Sequence, residues 1–227
     1  MGSCFKIVFL IPTELEFRPI VRAFCKAYGG GGFSREASVI DVAGRFLFVR
    51  CGIGKRSVKR SIRSFATKLC ADLIVSAGCA GAVHPGLLRG TILLPETVVN
   101  DHEQKITLAL EAFADMPAAV RCSAFLSLQK PADREAKRAF RKRHPDVWAL
   151  DMESFWIARE AAAIQTPCAL LRVTADTAEE RIPGWVLCAD GFYHRFTNLF
   201  FGLLYRIRAK KACRTLGKTL GCWLKRP

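Results

Sequence analysis

The chain has 227 residues, 51% of them hydrophobic and 24% charged, with a net charge of +15. That length fits one large α/β domain, and a mean hydropathy of +0.16 argues against wholesale disorder. No apolar run reaches the roughly 20 residues of a membrane span: Cys4 to Pro12 is short and interrupted by Lys6, and Phe196 to Tyr205 is also too short. The first run lacks the small-residue cleavage site of a signal peptide, so a cytoplasmic protein is expected.

The ten cysteines are scattered, without Cys-x-x-Cys or zinc spacing, and most sit in apolar runs (Cys51, Cys70, Cys168) where a reduced thiol is a small core residue. The four histidines are dispersed. No metal and no organic cofactor is expected. Charge is uneven: residues 195–227 hold nine cations and no acid, more than half of the net +15.

In chain order, Lys6 to Ile11 reads as a strand and Glu14 to Tyr28 as a helix with Leu15, Ile20, Val21 and Phe24 on one side. A turn follows at Gly29 to Gly32. Ala37 to Val42 and Arg45 to Cys51 form a hairpin through Ala43-Gly44. Ser57 to Cys70 is a basic amphipathic helix and Asp72 to Ala77 a buried strand. Thr91 to Leu94 and Ala118 to Leu126 are strands, and Ala132 to Arg143 is a polar helix. Asp151 to Ala163 is a helix, Cys168 to Val173 a strand, and the last fifty residues are helical. Strands alternating with helices, several of them apolar throughout, predict a three-layer α-β-α fold around a mixed central sheet. The division expected is a domain over 1–190 and a basic amphipathic helical extension over 191–227.

Two segments carry the chemistry. Leu150-Asp151-Met152-Glu153-Ser154 opens the apparent helix with two carboxylates around a methionine. Arg172-Val173-Thr174-Ala175-Asp176 ends an apolar strand with an arginine and an aspartate four residues apart. A strand end and a helix start that each deliver a carboxylate can work on a sugar and its leaving group together. Gly52-Ile53-Gly54-Lys55 lacks the earlier glycine and the hydroxyl residue of a phosphate loop, so a nucleoside triphosphate site is rejected.

These two segments, with Lys6 to Glu16, Gly52 to Lys55 and Ala77 to Pro85, follow the order of the nucleoside phosphorylase and nucleosidase superfamily. The chain resembles its methylthioadenosine/S-adenosylhomocysteine nucleosidases and futalosine hydrolases over roughly residues 5 to 185. The resemblance implies that Asp176 is the general acid that protonates the departing purine. That role requires a carboxyl group whose pKa is raised by burial or a nearby negative charge; the same residue also fits a helix N-cap. Glu153 would bind the ribose diol and stabilise positive charge on the sugar, or simply favour a helix start. Met152 would pack on the sugar face or belong to the core. Glu16 would activate water, with Glu14 as its competitor. Arg172 would anchor the Glu16 side of the pocket or pair a buried carboxylate. Cys79, Ala80 and Gly81 would bring backbone close to the ligand, or form a tight turn. Base contacts near Ser127 to Lys130 stay unassigned.

The fold serves both hydrolysis and phosphorolysis. The related purine nucleoside phosphorylases carry an arginine and, three residues on, a serine for phosphate; here those positions are Ser76 and Cys79. Water is therefore the expected nucleophile, with phosphorolysis the alternative through Arg18, Arg50 or Arg56. By resemblance the protein is a homodimer acting on a purine nucleoside. Its basic tail and the Asp151 to Ser154 segment resemble the hopanoid-associated phosphorylases, which points to an adenosyl lipid such as adenosylhopane. Residues 192–226, rich in aromatics and cations, fit either a helix packed on the sheet or an anionic membrane surface on the inner face. Nucleic acid is the weaker reading, and a degenerate membrane or RNA adaptor is the non-enzymatic one.

Overall fold

The structure is a computed structural model that describes residues 4–29, 37–66, 70–180 and 196–225. The expectations that fall on Gly30 to Gly32, on Ile182-Pro183 and on Phe192 and Tyr193 lie outside them. The elements are β1 (Cys4–Ile11), α1 (Glu14–Tyr28), β2 (Val39–Val42), β3 (Phe46–Arg50), α2 (Gly54–Ala66), β4 (Cys70–Ala82), β5 (Ile92–Asn100) and β6 (Lys105–Thr107). After a short 3-10 turn at Glu111–Phe113 come β7 (Ala119–Ser127), α3 (Arg134–Arg143), β8 (Val147–Asp151), α4 (Ser154–Ala163), β9 (Cys168–Asp176) and α5 (Phe196–Leu224).

The nine strands form one mixed sheet, ordered β2-β3-β1-β4-β8-β7-β5-β6, with β9 paired to both β4 and β5. The pairings of β4, β8, β7, β5 and β9 therefore close a ring, and β1, β3 and β2 extend from it as an open wing. Helices cover both faces. Strand residues alternate sides: Ile7, Phe9 and Ile11 of β1 meet Phe17, Ile20, Val21 and Phe24 of α1, whereas Val8 and Leu10 join Val58 and Ile62 of α2 and Ile157, Ala158 and Ala161 of α4. This is the expected three-layer α/β fold.

The hairpin turns where expected, with Ala43 (φ 58°) and Gly44 (φ 64°) both left-handed, the backbone a two-residue hairpin needs. Ala212, Cys213, Leu216 and Leu220 of α5 are buried in the same cluster as α1. Helices α1 and α5 run parallel with their backbones nearly touching. A Cβ on Gly221 would lie 2.7 Å from the Phe24 carbonyl oxygen, and one on Gly217 would overlap that of Ile20.

Several boundaries differ from the sequence reading. Cys70 begins β4 instead of ending α2, and β4 and β5 run beyond the apolar runs that mark them. Strands β6 and β8 were not anticipated. Asp151 closes β8, and the helix starts only at Ser154. Val147 and Leu150 face one cluster and Ala149 the other, with Trp148 half-buried, and the run is too short to show a period.

Candidate active site

Sheet register assembles the site. Gly81 of β4 pairs with Leu150 of β8 on one side and with Asp176 of β9 on the other, while Ser127 of β7 pairs with Asp151. A register shift between Ala80 and Gly81 lets β9 place an extra residue, Ala175, before Asp176. Such a bulge turns the side chain at a strand end toward a new direction. Met152 and Glu153 follow β8 directly. Glu16, Cys79, Ala80, Gly81, Met152, Glu153 and Asp176 thus line one cavity of about 2040 Å³. Arg172 lies behind its wall, fully buried.

Asp176 is buried, and burial raises its pKa to about 6, against the opposing pull of Lys137. Lys137, the buried residue of α3, donates its ammonium to Asp176 Oδ2 and to the Thr177 carbonyl at 3.1 Å. Among the described residues the Asp176 carboxylate has this lysine as its partner and makes no helix cap; Thr177 N–H is taken instead by Glu180, 2.8 Å away.

Glu153 stands at the N-cap position of α4 but makes no capping bond. It accepts instead from Gly54 N–H at 3.3 Å, which ties the Gly52-Ile53-Gly54 turn to the site. Burial, then the neighbouring Asp151 charge, raises its pKa to about 8, with Arg172 opposing.

Glu16 is held at both oxygens. Oε1 accepts from Cys79 N–H at 2.7 Å; Oε2 accepts from Thr13 N–H at 3.1 Å and its hydroxyl at 2.6 Å. Thr13 and Glu16 also form a reciprocal capping box at the start of α1, legible in Thr13-x-x-Glu16. The competitor Glu14 is partly exposed and paired with Arg18 and Arg50.

Arg172 pairs with Asp151 at 2.9 Å and donates to Ser76 at 2.9 Å and to Ser154 at 2.9 Å through Nη2. Asp151 also accepts from Ser127 at 2.5 Å. This buried group of five side chains fixes the end of β8 and hence Met152 and Glu153. Arg172 Nη1 is buried and has no partner among the described residues. It and Glu16 Oε1 both flank the empty Cβ position of Gly78, the latter at 2.6 Å, so a carboxylate and a guanidinium face one narrow gap.

The sequence reading missed Lys137, which is hidden among the six basic residues of α3, with only its position three residues before the apolar Phe140 to mark an inward face. It also missed the serines around Asp151. Leu128 and Lys130, in the stretch left unassigned, line the cavity. Among the described residues no group of three or more His, Cys, Asp or Glu side chains could hold a metal ion.

A ring of strands between helical layers, with separately anchored buried carboxylates at the ends of β8 and β9 on one cavity, defines a class of α/β proteins. The chain belongs to the phosphorylase superfamily, whose family model matches residues 6–135. The fold is shared with the 5′-methylthioadenosine/S-adenosylhomocysteine nucleosidase of Neisseria meningitidis, solved with methylthio-immucillin-A: 20% identity, TM-score 0.71, over 98% of this chain and 99% of that one. The Helicobacter pylori nucleosidase carrying a D198N mutation, solved with 5′-methylthioadenosine in its active site, matches at 18% identity and TM-score 0.70, over 97% of each chain. Futalosine hydrolase of Helicobacter pylori matches at 16% identity and TM-score 0.71, also over 97% of each.

Proposed function

We propose that the chain is a nucleosidase that hydrolyses the N-glycosidic bond of a 5′-modified purine nucleoside and releases the free base. The observation that carries this reading is Asp176, a buried carboxyl group with a pKa near 6 at the rim of a cavity that also holds Glu153 and Glu16. A purine leaves as an anion unless protonated, and Asp176 holds a proton close enough to neutrality to supply it. Glu153 accepts from the ribose diol and, ionised, stabilises the oxocarbenium-like sugar. Glu16, fixed by Thr13 and Cys79 and lining the cavity, takes a proton from water on its cavity side, and that water adds to the anomeric carbon as the base departs. Met152 packs on the sugar face, and Cys79, Ala80 and Gly81 lie along the ligand.

Water is favoured over phosphate because Ser76 and Cys79 stand where the related phosphorylases carry an arginine and a serine, and because Arg18, Arg50 and Arg172 are engaged. Glu14 holds Arg18 and Arg50, and Asp151 holds Arg172. Solved relatives of this fold bind methylthioadenosine or its analogues, which supports an adenosyl-type substrate. The long basic α5 supports the finer reading, a lipid-linked nucleoside such as adenosylhopane, handled by a homodimer resting peripherally on the membrane. No described helix is long and apolar enough to cross a bilayer.

The test is base release from methylthioadenosine, S-adenosylhomocysteine and an adenosyl lipid, each with and without phosphate, beside Asp176→Asn. Release without phosphate that Asp176→Asn abolishes is the expected result. Release that requires phosphate makes the protein a phosphorylase. Full activity in the variant removes Asp176 from the mechanism.

A further inference from the structure

The cavity is far larger than a nucleoside needs. At about 2040 Å³ it exceeds the roughly 300–1,000 Å³ of pockets for drug-sized ligands. Its excess runs outward from Glu16 along the seam of α1 and α5. Gly217 packs on Ile20 and Gly221 on Phe24 and Ala27, so these parallel helices touch, and Cys79 beside Glu16 reaches the Ala209 carbonyl of α5 at 3.9 Å. The walls of this stretch carry Arg22 and Lys26 from α1 and Arg206, Lys210, Arg214 and Lys218 from α5. None of the six makes an ion pair among the described residues, whereas Arg18 does, with Glu14. Glu14 is the acid that lines this stretch; the remaining acids of the cavity are the site carboxylates.

Four of the cations recur along α5 every four residues, facing the same cavity. From Arg206 to Lys218 they span about 18 Å at the helical rise. Unpaired like charges brought together on two touching helices repel one another and gain only when an anion lies between them. Their Arg and Lys donors, spread along a concave wall, suit phosphate oxygens.

We propose that the α1–α5 groove is a phosphate-binding subsite that opens into the nucleoside pocket. This rests on the nucleosidase reading and deepens it: the substrate's sugar end leads into phosphate, either a phosphate ester on its own 5′ extension or the headgroups of anionic phospholipid around a lipid-linked nucleoside. A neutral 5′ thioether leaves the groove unused.

The experiment uses the full chain and three probes: inorganic pyrophosphate by titration calorimetry, and phosphatidylglycerol vesicles and polyuridine RNA by co-sedimentation, with phosphatidylcholine vesicles as control. Pyrophosphate or phosphatidylglycerol should bind, and Arg22→Glu/Arg214→Glu should weaken that binding at least about tenfold with an unchanged circular dichroism spectrum, as should the milder Arg22→Gln/Arg214→Gln in smaller measure. Pyrophosphate binding assigns the phosphate to the substrate; binding to vesicles alone assigns it to lipid. Binding of neither, binding untouched by either double variant, or capture of RNA alone overturns the proposal. Base release from methylthioadenosine, S-adenosylhomocysteine and an adenosyl lipid is measured beside it. Release without anion binding sinks this inference and spares the nucleosidase; anion binding without release from any of the three sinks the nucleosidase and leaves the groove a phosphate site without a substrate role.

Discussion

Lys137 reaches from α3 into the wall of the site and pairs with Asp176, so the candidate general acid shares its buried position with a cation. Burial raises the Asp176 pKa and Lys137 pulls it back, leaving it at about 6. Glu153 sits at about 8. The proposed chemistry needs Asp176 protonated and Glu153 ionised, the reverse of the order in which they titrate. The active form is therefore a minor one-proton state, and kcat/KM for base release should follow a bell rising near about pH 6 and falling near about pH 8. Glu153→Gln removes the carboxylate that must ionise. Its residual activity should lose the rising limb and only fall as pH climbs through about 6. A flat profile from about pH 5 to 9 contradicts both assignments.

Lys137 itself can be tested through the same profile. In the one-proton state the rising limb tracks the Asp176 pKa. Lys137→Met removes the charge that lowers this pKa, so the limb should move to higher pH, whereas Lys137→Arg keeps a cation and should leave it nearer its place. A purely structural lysine would change the rate in Lys137→Met without moving the limb.

Much of this arrangement is legible in the sequence, and the parts that are not share a cause. Helix α1 and the Ala43-Gly44 hairpin are read correctly because their periodicity and turn residues are local. The Asp151 to Ser154 segment is placed on a helix, yet Asp151 ends a strand, because β8 is five residues long and buried within a ring that only long-range pairing creates. Family resemblance gathers Glu16, Glu153 and Asp176 into one expectation, and the structure puts all three on one cavity. It does not reveal Lys137. Which of the many cations of α3 turns inward depends on how that helix lies on the end of β9, a tertiary fact without a pattern of its own.

Gly78 marks how tightly the surroundings of Glu16 are built. A methyl group there would sit 2.6 Å from Glu16 Oε1 and overlap Arg172 Nη1. Neither neighbour can retreat easily, since Glu16 is held by Thr13 and Cys79 and Arg172 by Asp151. Gly78→Ala should displace the two groups and cost about 10²-fold in kcat/KM, the scale of an ångström-sized misplacement. Activity within about twofold of the unchanged protein would show that the exact placing of Glu16 does not matter to the reaction.

Arg172 should matter for stability as much as for chemistry. Its guanidinium joins Asp151, Ser76 and Ser154 across three elements, at full burial. Arg172→Met strips the cation and leaves the Asp151 side chain in the interior with only serine and backbone donors, and breaking a buried pair in this way costs about 3–5 kcal/mol. In a domain of this size each kcal/mol lowers Tm by about 2–4 °C, so thermal unfolding should shift down by about 6–20 °C. Lysine is no rescue, because an ammonium cannot span the planar set of acceptors that the guanidinium bridges. Arg172→Met/Asp151→Asn, which removes both charges, should recover part of the lost Tm. If the double variant unfolds as early as the single one, the loss comes from packing around β9 and the ion pair contributes little.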